Sequence, residues 1–207
     1  MKTEKSLPAP PVDARERLLC AALNQFTLRG YAATSVRELC EAAGVTKPVL
    51  YYYFKSKEGL YLQLMEGSYA QFESILADLT SIQGNVRQRL EFFCKGLFDS
   101  YTKQLPLIKL CYSIYYGTPQ AAPYFDLDKY YDRLLQVITG FVAEGIKSGE
   151  ISPGNVQDIA WTIVACMNIA IEEQLCHSEP RIDGEAMIRM IDLVFNGITP
   201  KATGSLQ

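Results

Sequence analysis

Between Ser35 and Lys57 the chain reads SVRELCEAAGVTKPVLYYYFKSK, and no other stretch restricts the possible folds as much. Ser35 lies three residues before Glu38, the spacing of a reciprocal capping box that opens a helix. Val36, Leu39 and Ala43 then recur at helical spacing and make one apolar stripe. Gly44 comes where a helix closes in the left-handed conformation, which glycine adopts without steric cost. Thr46 is placed to cap a second helix, with Pro48 in its first turn, where no intrahelical N–H is required. Leu50 and Phe54, four apart, form its inward edge, so Lys47, Pro48, Tyr51, Tyr52 and Lys55 spread over the other faces. Of the three consecutive tyrosines, at most one shares the Leu50/Phe54 side. Ser56 offers a cap for a longer third helix with Lys57 in its first turn.

Two short capped helices joined by a tight turn have a physical use. A helix about 10–12 Å across fits the major groove of B-form DNA. Tyrosine hydroxyls, lysine ammoniums and helix starts are the donors expected to meet phosphate oxygens. Lys57 opposes the helix macrodipole at its position, and a phosphate there would offset that cost. The plainer reading of Lys57 is a solvated lysine on a turn.

These residues carry a family resemblance. The run TSVRELCEAAGVTKPVLYYYFKSKEGL, residues 34–60, resembles the DNA-binding region of the TetR family of bacterial transcriptional regulators, and the likeness extends back through the Gly30-Tyr31 corner and the helix before it. The resemblance implies an all-α protein: a three-helix helix-turn-helix domain followed by a larger helical ligand-binding and dimerisation domain. It implies that Ser35 binds phosphate from its helix start and that Arg37 reaches a base or a phosphate. Lys47 and Pro48 face base edges, and Thr46 caps and touches the backbone. Tyr51, Tyr53 and Lys57 hold phosphates, with Tyr52 on the same outward rim. Val49 stands where the family often has a small or hydroxylated residue, so apolar contact with a thymine methyl is expected there.

The net charge of −3 is unevenly spread. Residues 1–60 hold nine Lys/Arg against six Asp/Glu, and residues 61–207 hold eleven against seventeen. A basic amino end on an acidic body suits phosphate binding, because the local field decides it. The start MKTEKSLPAPPVD lacks the apolar core of a secretory signal and reads as a disordered lead-in over 1–11. The apolar run from Ile159 to Ile171 is too short for a membrane span, so a cytoplasmic protein without membrane contact is expected. Six scattered cysteines, with no C-x-x-C and no Cys/His cluster, read as small buried hydrophobes and give no metal site.

The domains expected are the helix-turn-helix over 12–58, a helical effector and dimerisation domain over 59–200, and a disordered tail over 201–207. Asp13 caps a first helix whose stripe is Leu19, Ala22, Leu23 and Phe26. Later helices are expected from Ser56 to about Leu79, Asn85 to Gln104, Leu127 to Ser148, Val156 to Cys176 and Glu185 to Asn196. Seven tyrosines lie in residues 101–131, among prolines that break the chain into a short helix and a loop. Aromatic rings with a few polar groups suit a small-molecule cavity between helices. The expected lining is Phe93, Leu97, Tyr101, Tyr112, Tyr115, Tyr116, Tyr131, Trp161 and Met167, in the part of the chain that surrounds the inducer in the resembled family. That family pairs its last two long helices with their twins. Ile163, Met167, Ala170, Met187, Ile191, Val194 and Phe195 are the matching interface candidates, with intramolecular core as the competing account.

Catalysis has little support. His177 is the only histidine, and adjacent Glu172 and Glu173 point about 100° apart on a helix. No phosphate loop, nucleophile motif or metal-ligand spacing occurs, so neither an enzyme nor a cofactor is expected. The resulting expectation is a homodimeric, effector-responsive repressor bound to a double-stranded operator; the alternative is a helical small-molecule-binding protein or enzyme with no DNA role.

Overall fold

The computed structural model describes residues 13–118 and 121–198. The expected lead-in and tail lie outside them. Among the described residues there are nine α-helices and no strand: α1 (Ala14–Arg29), α2 (Val36–Ala43), α3 (Lys47–Phe54), α4 (Lys57–Thr80), α5 (Val86–Thr102), α6 (Leu105–Tyr115), α7 (Asp128–Ser148), α8 (Val156–Cys176) and α9 (Gly184–Ile198). The chain forms two compact units. One runs to Gly67 and takes in Tyr112–Phe125; the other holds Ser68–Cys111 and the chain from Asp126 onward.

In the first unit, α1 buries Leu18, Ala21, Ala22 and Phe26. Leu19 and Leu23, expected on that stripe, are only half-buried. Both stripes share Ala22 and Phe26, and the two alanines let α1 turn its smaller side toward its neighbours. Asp13 occupies the N-cap position without making a side-chain cap bond. α2 buries Leu39, Cys40 and Ala43, and α3 buries Leu50 and Phe54. Gly44 closes α2 at φ 61°, ψ 40°, a left-handed conformation that would strain any residue with a Cβ. Ser56 Oγ accepts from the Gly59 amide at 2.9 Å and opens α4.

In the second unit, α5 packs against α7, α8 and α9. Leu90, Phe93, Cys94 and Leu97 of α5 meet Leu134, Ile138 and Phe141 of α7, Ile163, Val164 and Met167 of α8, and Met187, Ile191 and Phe195 of α9 in a core where every one of these side chains is buried. Burial of such a side chain contributes roughly 1.5–3 kcal/mol each. Asn85 and Asn155 cap α5 and α8 through their side-chain oxygens, and Gly149 ends α7 in the left-handed region. Glu173, only 7% exposed, is held by a two-pronged contact from Arg181, whose Nε and Nη2 lie 2.6 and 2.9 Å from its oxygens. This pair fastens the α8–α9 connection and keeps the Glu173 carboxyl down at about 2. His177 caps α8 through its backbone amide.

As a whole helix α8 is long and apolar enough to cross a membrane, which the run 159–171 alone did not suggest. Its buried side is nonetheless packed on α7 and α9. Cys40 and Cys94 are buried as expected, whereas Cys20 and Cys176 are exposed. Burial pushes the Cys94 and Cys166 thiols up, so both stay protonated at neutral pH.

Candidate nucleic-acid interface

The α2–turn–α3 segment is assembled by local polar fasteners. Ser35 Oγ accepts from the Glu38 amide at 3.2 Å, and the Ser35 amide donates to Glu38 Oε2 at 2.8 Å, completing the capping box. Arg29, at the end of α1, pairs with the same carboxylate. The Ser35 hydrogen bonds, with help from Arg29, hold the Glu38 carboxyl at about 2. At the other end of α2, Arg17 Nε donates to the Ala43 carbonyl at 3.0 Å. The sequence reading missed Arg17; the available signal was that α2 has no basic residue in its last turn, where carbonyls lack partners.

α3 turns Leu50 and Phe54 inward and leaves Lys47 and Pro48 exposed at its first turn. Tyr51 is 46% and Tyr52 74% exposed. Thr46 stands at the N-cap but makes no side-chain cap bond, contrary to expectation, because its hydroxyl does not turn back to the helix amides. Tyr53 is half-buried, the one tyrosine that shares the inner side, and its hydroxyl makes a long 3.4 Å bond to Asp13 Oδ1 instead of standing free for a phosphate. Arg37 is exposed and pairs only with Glu41, one turn on at 3.0 Å; such a pair contributes about 0.3–0.5 kcal/mol and is easily exchanged. Ser35 is exposed, and Val49 is half-buried beside Leu50.

Lys57 departs furthest from the expectation of an ammonium held out to phosphate. Its Nζ donates to the carbonyls of Tyr31 at 3.0 Å and Thr34 at 2.9 Å, and lies 4.0 Å from the Tyr31 ring centroid. These carbonyls and the ring face satisfy a cation that the helix start disfavours. Burial lowers its pKa. The Tyr31 ring is in turn flanked by Phe26 at 5.3 Å and Tyr61 at 5.2 Å. The signal available in the sequence was the i,i+4 spacing of Lys57 and Tyr61 opposite a tyrosine at a glycine corner.

The expected cavity lining is divided between the two units. Tyr112, Tyr115 and Tyr116 belong to the first unit, where their rings cluster and the latter two are exposed. In the second unit Phe93, Leu97 and Met167 are closed into the core, with 0–4% exposure. Tyr101 is half-buried. Tyr131 and Trp161 meet, with ring centroids 5.5 Å apart, and Asn168 Nδ2 donates to the Tyr131 hydroxyl.

The interface candidates need a similar correction. Ile163, Met167, Ala170, Met187, Ile191 and Phe195 are buried within their own chain and cannot be offered to a second copy, while Val194 is half-buried. Among the described residues, the exposed apolar side chains of α8 and α9 include Trp161, Ala165, Ile169 and Leu193. The apolar circumference of α8 hides which face turns inward.

Two short helices across a glycine turn, braced by α1, with a polar and aromatic rim outward, define a helix-turn-helix protein. Residues 18–64 match the family described as bacterial regulatory proteins, tetR family. The chain is 37% identical over 103 residues to the HTH-type transcriptional regulator YdgC of Bacillus subtilis, spanning 48% of this chain and about half (53%) of that relative. It is 29% identical over 160 residues to RutR of Escherichia coli, covering 73% of this chain and 70% of RutR. Among solved structures, the ketosteroid transcriptional regulator KstR2 of Mycobacterium tuberculosis superposes with a TM-score of 0.71 at 20% identity, over 93% of this chain and 98% of that one. Residues 18–64 thus match the TetR family's helix-turn-helix region, and the chain as a whole shares its fold with KstR2.

Proposed function

We propose that the protein is a homodimeric, effector-responsive transcriptional regulator that represses by occupying a pseudo-palindromic operator in the cytoplasm, and that it is not an enzyme. The observation that carries this reading is the division of α3: Leu50 and Phe54 are buried, while Lys47, Pro48, Tyr51 and Tyr52 are exposed. Lys47 and Pro48 face base edges; Ser35, Arg37 and Tyr51 meet phosphates, with Tyr52 beside them. A second copy docks on the exposed apolar side of α8 and α9 around Trp161, Ala165, Ile169 and Leu193. The paired recognition helices then reach half-sites about 34 Å or a multiple of that apart. A small, largely apolar or aromatic effector shifts the balance between DNA-competent and incompetent states, with a coupling of ~1–3 kcal/mol. The group of half-buried Tyr131 and Asn168 with the exposed Trp161 supports an aromatic effector site in the second unit.

Selection of bound duplexes from a randomised pool, followed by mobility-shift titration at several salt concentrations, tests the reading. Sequence-selective, salt-sensitive retardation is the expected result. Lys47→Ala changes the preferred sequence. Retention of no duplex over any other overturns the proposal.

A further inference from the structure

We propose that Lys55 is a further DNA contact: its ammonium meets a backbone phosphate at the carbonyl end of α3, and its strained backbone holds the side chain in that place. The proposal rests on the DNA-binding reading above. Lys55 stands at φ 66°, ψ −31°, where an L side chain is strained. The other positive-φ residues among those described are Gly30, Gly44, Gly84 and Gly149, which have no side chain to strain. The link has no local way to relax. The Lys55 amide donates to the Tyr51 carbonyl at 3.1 Å, and Ser56 opens α4 through the Gly59 amide. Gly59 packs so tightly on the Phe54 carbonyl that a Cβ there would lie 2.0 Å from its oxygen. A left-handed residue is thus imposed on the link, and this chain places a long cationic side chain there instead of glycine.

Contacts within the chain do not account for that choice. The Lys55 side chain is exposed, so it gains little by burial. Among the described residues its ammonium makes one hydrogen bond, an exposed 3.2 Å contact to the Tyr52 carbonyl, and no ion pair. Two of its three N–H donors stay open. The one bond seats the charge on the carbonyl end of α3, the negative pole of the helix macrodipole, where the last turn has no basic residue of its own. Eight residues of helix span about 12 Å, and the major groove is about 12 Å wide. With Lys47 and Pro48 at the start of α3 facing base edges, the far end comes to the groove wall, which is lined by phosphates. A bare carbonyl end would repel them, and an ammonium seated on it attracts them. A point charge with open donors suits a phosphate and carries no base preference.

The test is binding to the duplex selected by the wild-type chain, titrated at several salt concentrations. Lys55→Gln keeps a side chain at the strained position and removes the charge. It is expected to weaken binding about tenfold per protomer at about 50 mM salt, and to lower the slope of log K against log salt concentration by about 0.9 per protomer. The preferred sequence should not change. Lys55→Gly removes strain and charge together, so it should bind as weakly as Lys55→Gln while its urea midpoint stays at or above the wild-type value. Lys55→Arg should keep the wild-type slope. Lys57 is intact in all three variants, so its own share of the slope cancels. A wild-type slope in Lys55→Gln overturns the proposal, and a lower urea midpoint in Lys55→Gly overturns the claim of strain. Weaker binding at unchanged slope with a lower midpoint is the result expected of a residue that only caps α3, and it overturns both. If the wild-type chain selects no duplex, the regulator reading fails and this proposal with it. Selective binding by the wild-type chain with an unaltered Lys55→Gln slope sinks this proposal alone.

Discussion

The pair α2 and α3 and the pair α8 and α9 both have to hide apolar residues, and they do so with very different margins. The two short helices, eight residues each, bury three and two side chains respectively. They depend on fasteners from elsewhere: Arg29 on Glu38, Arg17 on the last turn of α2, and Lys57 on the corner before Ser35. α8 buries seven residues along its length and still leaves Trp161 and Ile169 outside. Isolated helices of eight residues are marginal in water, so tertiary fasteners decide whether the short pair exists at all. The lesson is that the recognition end is tuned by a few polar bonds, whereas the body is held by redundancy. Local opening should begin at α2 and α3.

The contrast can be broken first in the core of the short pair. Phe54→Ala removes one of only two side chains that α3 buries, and should cost about 3–5 kcal/mol by urea unfolding, with loss of DNA retention. Equal stability in wild type and variant would mean that the fasteners alone suffice.

Acid provides a milder test. The Glu38 carboxyl lies at about 2 in the folded chain, below its unfolded range. A depressed carboxyl adds stability that is fully present above the unfolded value, about 4.3, and is lost as pH falls toward 2. Protection of the Ser35 amide against exchange should therefore fall across that window, and Glu38→Gln, which keeps an acceptor but no titrating carboxyl, should show no pH step. Glu173 is depressed into the same range, so the readout has to be local to α2.

The smallest effect on stability belongs to the body. Leu193 is 71% exposed, and Leu193→Glu should alter unfolding by no more than about 0.5 kcal/mol. It should nevertheless move the mass measured by light scattering from dimer toward monomer. A variant that stays dimeric would place the contact elsewhere than on this side of α9.

Features set by neighbours in the chain were readable from residues alone. Ser35, Gly44 and Ser56 act as caps where their spacing put them, and α8 spans Val156–Cys176 as expected. Features set by distant partners were not. The direction of Lys57 depends on carbonyls 26 and 23 residues away. The inward face of α8 was hidden because Trp161, Ile163, Met167 and Ile169 are all apolar, and only packing against α5, α7 and α9 separates Ile163 and Met167 from the other two. The outward rim of α3 was legible because Leu50 and Phe54 allow one inner side; the hydroxyl of Tyr53 turning to Asp13 was not, since it depends on how α1 meets α3.

One joint carries a consequence for how such an end can change over generations. Lys55, at φ 66°, is the single non-glycine residue with positive φ among those described, and with Ser56 it makes the entire link between α3 and α4. A helix advances about 100° with each residue, so one residue gained or lost there would swing the rim of Lys47, Pro48 and Tyr51 out of phase with α4. Outward side chains on α3 can be traded one at a time, whereas the length of this hinge is fixed: new binding preferences are reachable by substitution and closed to insertion.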